Sequence, residues 1–207
     1  MESIWFARTK RLLALAETGL QFTHDPFDAE RYEEMANIAI AMLAEMSQTP
    51  VELLQTVLRT GESGYVTPKV EVRGAVFKDN KILLIQEKED DLWALPGGYA
   101  DVGLSAAENV EKEILEEANI QVKAKYLYAL RHKAKGAYPA DPRDFYKLHF
   151  ICEGLGDQLP AAGMETQNAA FFERNKLPPL SSGKVLVEDL HAAWDFLKCP
   201  QKLPRFD

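Results

Sequence analysis

The chain has 207 residues, enough for one large domain or two small ones, and its 46% hydrophobic and 27% charged content is that of a folded globular protein. A formal net charge of −8 argues against a surface built to hold a nucleic-acid backbone, though not against a small anionic substrate neutralised by divalent ions. No apolar run approaches the roughly 18 residues of a membrane span, and the N-terminus lacks the layout of a secretion signal, so a cytoplasmic protein is expected.

Residues 1 to about 60 read as helical. Ile4, Ala7, Leu12, Leu15 and Ala16 carry the first apolar periodicity, which is expected to stop at Gly19. Asp28 reads as the N-cap of a second helix, after the turn-forming Asp25-Pro26. Met35, Ile38, Ala39, Met42 and Met46 recur at helical spacing and are expected to form its buried stripe. Thr49-Pro50-Val51-Glu52 starts a third helix with a capping box and a proline at the first position, and that helix is expected to end near Gly61.

Two glycines and a proline between Gly61 and Pro68 mark a linker. The expected division is a helical domain over 1–62, a linker over 63–68 and a second domain over 69–207. Beyond the linker, Val70 to Phe77 alternates like a strand, Asp79-Asn80 supplies a turn, and Ile82 to Ile85 is a short apolar strand. A helix follows over Ser105 to Glu117, then strand-like segments at Val122–Leu130 and Tyr146–Cys152, and a last helix over about 185–197. The fold class is α+β, a mixed sheet between helices, preceded by a small all-helical unit. Cys152 and Cys199 have no C-x-x-C spacing and indicate neither a zinc site nor a disulfide framework, and Cys152 reads as a core residue.

The chemistry is expected between Leu95 and Ile120. Leu95-Pro96-Gly97-Gly98 precedes a helix whose start is signalled by the capping box Ser105/Glu108. At about 100° per residue, Glu116 lies roughly 60° to one side of Glu113 and Glu117 roughly 40° to the other, so three carboxylates share one arc beside the apolar stripe of Ala107, Val110 and Ile114. Like charges at this spacing destabilise a helix by about 0.2–0.5 kcal/mol per pair. Hard divalent cations would compensate, and could bridge a diphosphate and acidify a water. A solvated glutamate face is the alternative reading of the same residues.

This stretch resembles the Nudix box, G-x5-E-x7-R-E-U-x-E-E-x-G-U with U aliphatic. Gly98 matches the leading glycine, Glu113, Glu116 and Glu117 the metal-binding glutamates, and Ile114 and Ile120 the aliphatic positions. Leu104 stands for Glu, Lys112 for Arg and Asn119 for Gly. The segments Gly19-Leu20, Phe27 to Tyr32, Gly64 to Lys69 and Arg73 to Phe77 extend the resemblance over nearly the whole chain. They are similar to a bacterial Nudix subgroup with a helical N-terminal domain, in which the changes at Leu104 and Lys112 are common.

That resemblance implies a homodimeric, metal-dependent hydrolase of nucleoside diphosphate derivatives of ADP-ribose or CDP-choline type, releasing a nucleoside monophosphate. It implies Mg2+ or Mn2+ on Glu113, Glu116 and Glu117 with backbone oxygen at Gly97 and Gly98. Glu165, in a segment resembling the loop that supplies a further carboxylate, is the expected general base, with Glu153 second and Asn168 where an acid is usual. Arg73, Gly98 and Tyr65 are the substrate-binding candidates. Arg73 reads otherwise as a surface ion-pair residue, Tyr65 as an aromatic anchor, and His132, Lys133 and Lys135 as a solvated basic loop. Two rivals stand beside the hydrolase, a weakly catalytic nucleotide sensor and an enzyme of RNA ends. The net acidity, and the lack of a basic stripe with interleaved aromatics, count against the second.

Overall fold

The computed structural model describes residues 2–59, 64–199 and 203–207, and it separates into two compact units. The first comprises residues 1–69 with 139–144, and the second residues 70–138 with 145–207. None of the described helices is long and apolar enough to cross a membrane.

The first unit is built on three helices, α1 (Ile4–Phe22), α2 (Pro26–Ser47) and α3 (Val51–Leu58). Helix α1 does not stop at Gly19. It continues to Phe22, and Gly19 serves instead as a close-approach point, where a Cβ would meet the Tyr32 ring at 2.7 Å. The N-cap of α2 is Asp25 and not Asp28, because the Asp25 carboxylate accepts from the amides of Phe27 and Asp28 while Pro26 needs no partner at the first position. Helix α3 begins after Pro50 without a side-chain cap, and the expected stop at Gly61 lies outside the described residues.

The expected stripe of α2 is turned relative to its packing. Ala39 is buried as expected and Met35 packs against the core, but Ile38, Met42 and Met46 are exposed, and Ala36, Ile40, Leu43 and Ala44 complete the buried face. Fully buried alanines at 16, 36 and 39, with only a methyl group each, alternate with Phe6, Leu13, Ile40 and Leu43 in the helical core.

The second unit holds β1 (Lys69–Lys78), β2 (Lys81–Glu87), β3 (Trp93–Ala94), α4 (Ala106–Ala118), β4 (Val122–His132), β5 (Phe145–Gly154), β6 (Thr166–Phe172), α5 (Val187–Leu197) and β7 (Arg205–Phe206). Among the described residues the sheet order is β3-β2-β1-β5-β4-β7, with β6 added along β2. The sheet is mixed, since β7 runs parallel to β4 while β5 and β6 pair antiparallel with β4 and β2. The β1–β2 hairpin turns at Asp79-Asn80, both left-handed (φ 50° and 59°), as a tight hairpin demands.

Side chains alternate across a strand, so Gly74 and Phe77 of β1 face opposite ways. Gly74 lies under Val110 and Ile114 of α4, and Phe77 meets the Trp194 ring of α5 at 5.5 Å. The sheet is therefore clasped between α4 and α5. The cap of α4 forms as its sequence dictates, with Ser105 and Glu108 exchanging both capping-box bonds and Asn119 left-handed at the C-cap (φ 53°).

Candidate active site

The turn before α4 threads between β1 and β2. Gly74 N–H donates to the Pro96 carbonyl, Val72 N–H to that of Gly98, and Ala100 N–H to that of Val70, all at 2.9–3.0 Å. Gly97 has φ +142°, and a Cβ there would meet the Val72 carbonyl oxygen at 2.0 Å, so only glycine fits. At Gly98 a Cβ would meet Glu113 Oε2 at 2.8 Å. The glycine pair thus brings backbone directly onto the helix carboxylates.

The three glutamates share the arc of α4, but their carboxylates do not converge. Glu117 is buried and accepts from Gly97 N–H at 2.7 Å. Glu116 is exposed and paired at 3.0 Å with Lys112, which also reaches Asp101 at 3.1 Å. Lys112, the lysine at the arginine position, therefore crosslinks the helix to the turn. Among the described residues no three His, Cys, Asp or Glu side chains stand grouped as a preformed metal cluster.

Electrostatics marks the same place. Burial pushes the Glu117 carboxyl up to about 7, helped by Glu87 and Glu113 and opposed by Arg73 and the Gly97 amide. Burial also raises Glu113, with Lys112 lowering it and Glu116 raising it. Buried carboxylates that repel one another and offer hard oxygen donors fit a divalent cation.

The segment before β6 is fastened to the end of α4. Ala161 N–H donates to the Ala118 carbonyl at 3.0 Å, and Gly163 N–H and Thr166 Oγ1 donate to that of Glu117 at 3.2 and 2.8 Å. Gly163 passes so close that a Cβ would meet the Glu116 carbonyl at 1.7 Å. Glu165 follows two residues later, exposed, immediately before the anchored Thr166. Glu153, the second candidate base, is instead exposed on β5 and paired with Lys125 at 2.8 Å. Asn168 is exposed on β6.

Arg73 is not a surface residue: it is 3% exposed, and its Nη1 donates to the Leu95 carbonyl at 3.1 Å. Tyr65 belongs to the first unit, exposed, with its ring 5.3 Å from that of Phe22 on α1. Leu104 is half-exposed, and its carbonyl accepts from the buried Asn109 amide, which also binds Asp101 and Ser105. The basic loop is a short 3-10 turn in which Lys133 is buried over the Phe145 ring at 4.9 Å, contrary to the solvated loop expected. Cys152 is buried, as expected.

Sequence reasoning passed over Glu87, Lys184, Glu71 and Lys147. Glu87 ends β2 almost fully buried and meets Lys184 Nζ at 2.8 Å. Glu71 and Lys147 form a buried ion pair between β1 and β5. A charged residue inside an apolar strand pattern was the available signal for all but Lys184.

A glycine turn laid against a capped helix of buried carboxylates, on a mixed sheet, defines the class of catalytic domain that the box pattern describes. Comparison with known proteins agrees over both units. Residues 67–189 match the family described as NUDIX domain, and residues 3–58 match the one described as UDP-X-like, N-terminal oligomerisation domain. A Bacillus subtilis protein provisionally named an ADP-ribose pyrophosphatase is 42% identical over 207 residues, covering 100% of this chain and 99% of its own length. The crystal structure of a UDP-X diphosphatase is 33% identical with a TM-score of 0.64, covering 100% of each chain. That of an ADP-ribose pyrophosphatase from Streptococcus suis is 39% identical with a TM-score of 0.61, over 68% of this chain and 100% of that one. The chain belongs to the Nudix hydrolases, as a pyrophosphohydrolase of the subgroup that carries a helical N-terminal domain.

Proposed function

We propose that this chain hydrolyses the diphosphate of a nucleoside diphosphate joined to a sugar or similar group, ADP-ribose being the leading candidate, and releases a nucleoside monophosphate. The observation that carries the reading is Glu117, a buried carboxylate held by the Gly97 amide and crowded by Glu113 and Glu87. Relatives named for ADP-ribose and UDP-X cleavage support it.

Glu113, Glu116 and Glu117, with the Gly97 carbonyl, would hold Mg2+ or Mn2+. Such an ion neutralises diphosphate charge and acidifies a bound water. Gly98, without a side chain, admits the substrate phosphates beside Glu113. Arg73 sets positive charge against Glu113 and Glu117 from within the sheet. Glu165, exposed on a segment anchored to α4, takes the proton of the attacking water. The oligomerisation-domain match and the exposed Ile38, Met42 and Met46 on one face of α2 support a homodimer.

The test is release of nucleoside monophosphate from ADP-ribose, CDP-choline, NADH and sugar nucleotides with Mg2+ and Mn2+, for the wild type, Glu116→Gln and Glu117→Gln. Loss of a ligand that contributes several kcal/mol to the transition state lowers turnover by about 100-fold or more. Unchanged turnover in both variants refutes the assignment. Heat-stability shifts with ADP-ribose, without turnover, would make the chain a nucleotide sensor.

A further inference from the structure

The interior of the second unit holds a cluster of cations, Arg73, Lys133 and Lys147, around Glu71. Lys147 is its centre. The ammonium is fully buried, donates to the Glu71 carboxylate and, at 3.0 Å, to the Lys184 carbonyl, and lies 5.3 Å from the centre of the Tyr138 ring. Glu71 stands 3.5 Å from the Arg73 guanidinium, which binds the Leu95 carbonyl and so reaches the turn whose Gly97 amide holds Glu117. In the other direction, the backbone that Lys147 grips carries the Lys184 side chain to Glu87, the carboxylate that bears on Glu117.

A buried ion pair is a poor source of stability. Each desolvated charge costs several kcal/mol, and an apolar pair of the same volume is often as good or better. What an ammonium supplies and a methionine cannot is direction, because its three donors fix acceptors on separate segments at once. Here those acceptors lie on β1 and on the segment leading into α5, the two that carry Arg73 and Lys184.

We propose that Lys147 is a positioning residue for diphosphate cleavage, a buried ammonium that ties the Leu95–Gly98 turn, through Glu71 and Arg73, to the Lys184 segment. It thereby fixes the two cations that act on Glu117 and Glu87. The inference rests on the hydrolase reading above.

The test compares the wild type with Lys147→Met and with Lys147→Met/Glu71→Gln, the second of which removes both charges of the pair. A purely structural pair predicts that the double variant recovers thermal stability and turnover together. Positioning predicts that stability returns to within a few degrees while kcat stays roughly 10–100-fold low, with KM changed by less than about threefold. Mn2+ affinity without substrate, read by electron paramagnetic resonance, falls about 10-fold. Wild-type kcat in the double variant overturns the proposal, as does failure of that variant to unfold cooperatively at all, which assigns the pair to the fold. If the wild type cleaves nothing in the panel, the hydrolase reading fails separately. Mn2+ affinity then decides: weakened in the double variant it sustains the positioning role, and unchanged it overturns it.

Discussion

Glu117→Gln stabilises the metal-free protein at pH 8 and leaves it nearly unchanged below about pH 4. The native carboxyl sits at about 7 against an ordinary 4.5, chiefly because it is buried. A raised native value means that the folded state binds the proton more tightly than the unfolded chain. The carboxyl is then neutral and harmless below the unfolded value, and its charge weighs on the fold as pH rises through 7. At about 1.4 kcal/mol per pH unit, the cost above pH 8 is about 3 kcal/mol. Glutamine removes that cost, and its amide oxygen can still accept from Gly97. For a unit of this size the gain corresponds to roughly 6–12 °C in Tm at pH 8. Thermal unfolding of both proteins in chelator, at pH 4, 6 and 8, measures it. Added Mn2+ closes the gap by stabilising the wild type selectively. A gain equal at all three pH values, or none at pH 8, refutes the reasoning.

Three other expectations are simpler to check. His149, fully buried beside Tyr128, is lowered by burial to about 4, so the stability it permits is complete above 6.5 and falls as pH drops towards 4. His149→Gln should therefore unfold at the higher temperature at pH 4.5, by about 3 kcal/mol of relief, with no such gain at pH 8. Cys152 is buried and its thiol pushed up to about 12, so iodoacetamide at pH 8 should label only the exposed Cys199 until denaturant is added, as peptide mass spectrometry would show. Met42→Glu, on the exposed stripe of α2, should shift the protein to a monomer by light scattering if that stripe is the seam of the proposed dimer.

Helix α4 was readable because its signals are local. Ser105, Glu108 and Asn119 act within one turn of themselves, and each takes the conformation its chemistry prefers. The glycine turn was equally visible, since Gly97 stands where no side chain fits. The first helices were harder. Gly19 reads as a stop in isolation, yet the helix runs through it against Tyr32, and Ile40 and Leu43 with their neighbouring alanines, rather than Met42 and Met46, form the buried face of α2. Glu71, Glu87, Lys147 and Lys184 escaped for a different reason. They come from four segments, up to 113 residues apart in number from Glu71 to Lys184, and meet through strand pairing and one loop. No spacing rule connects such residues. Only the anomaly of a charge inside an apolar strand pointed towards Glu71, Glu87 and Lys147.

The end of α4 has a mechanical consequence. A helix leaves its last four carbonyls without partners of its own, and here two of them, at Glu117 and Ala118, are claimed by amides and a hydroxyl from the segment before β6. Helix and segment are thus welded at the residue that carries the buried carboxylate, with Gly163 wedged too close for any side chain to slip past. Glu165 lies between two anchored residues of that segment, Gly163 and Thr166, so its backbone is held to the end of α4. Insertions should therefore be tolerated in the exposed stretch around Asp157 and not between Ala161 and Thr166.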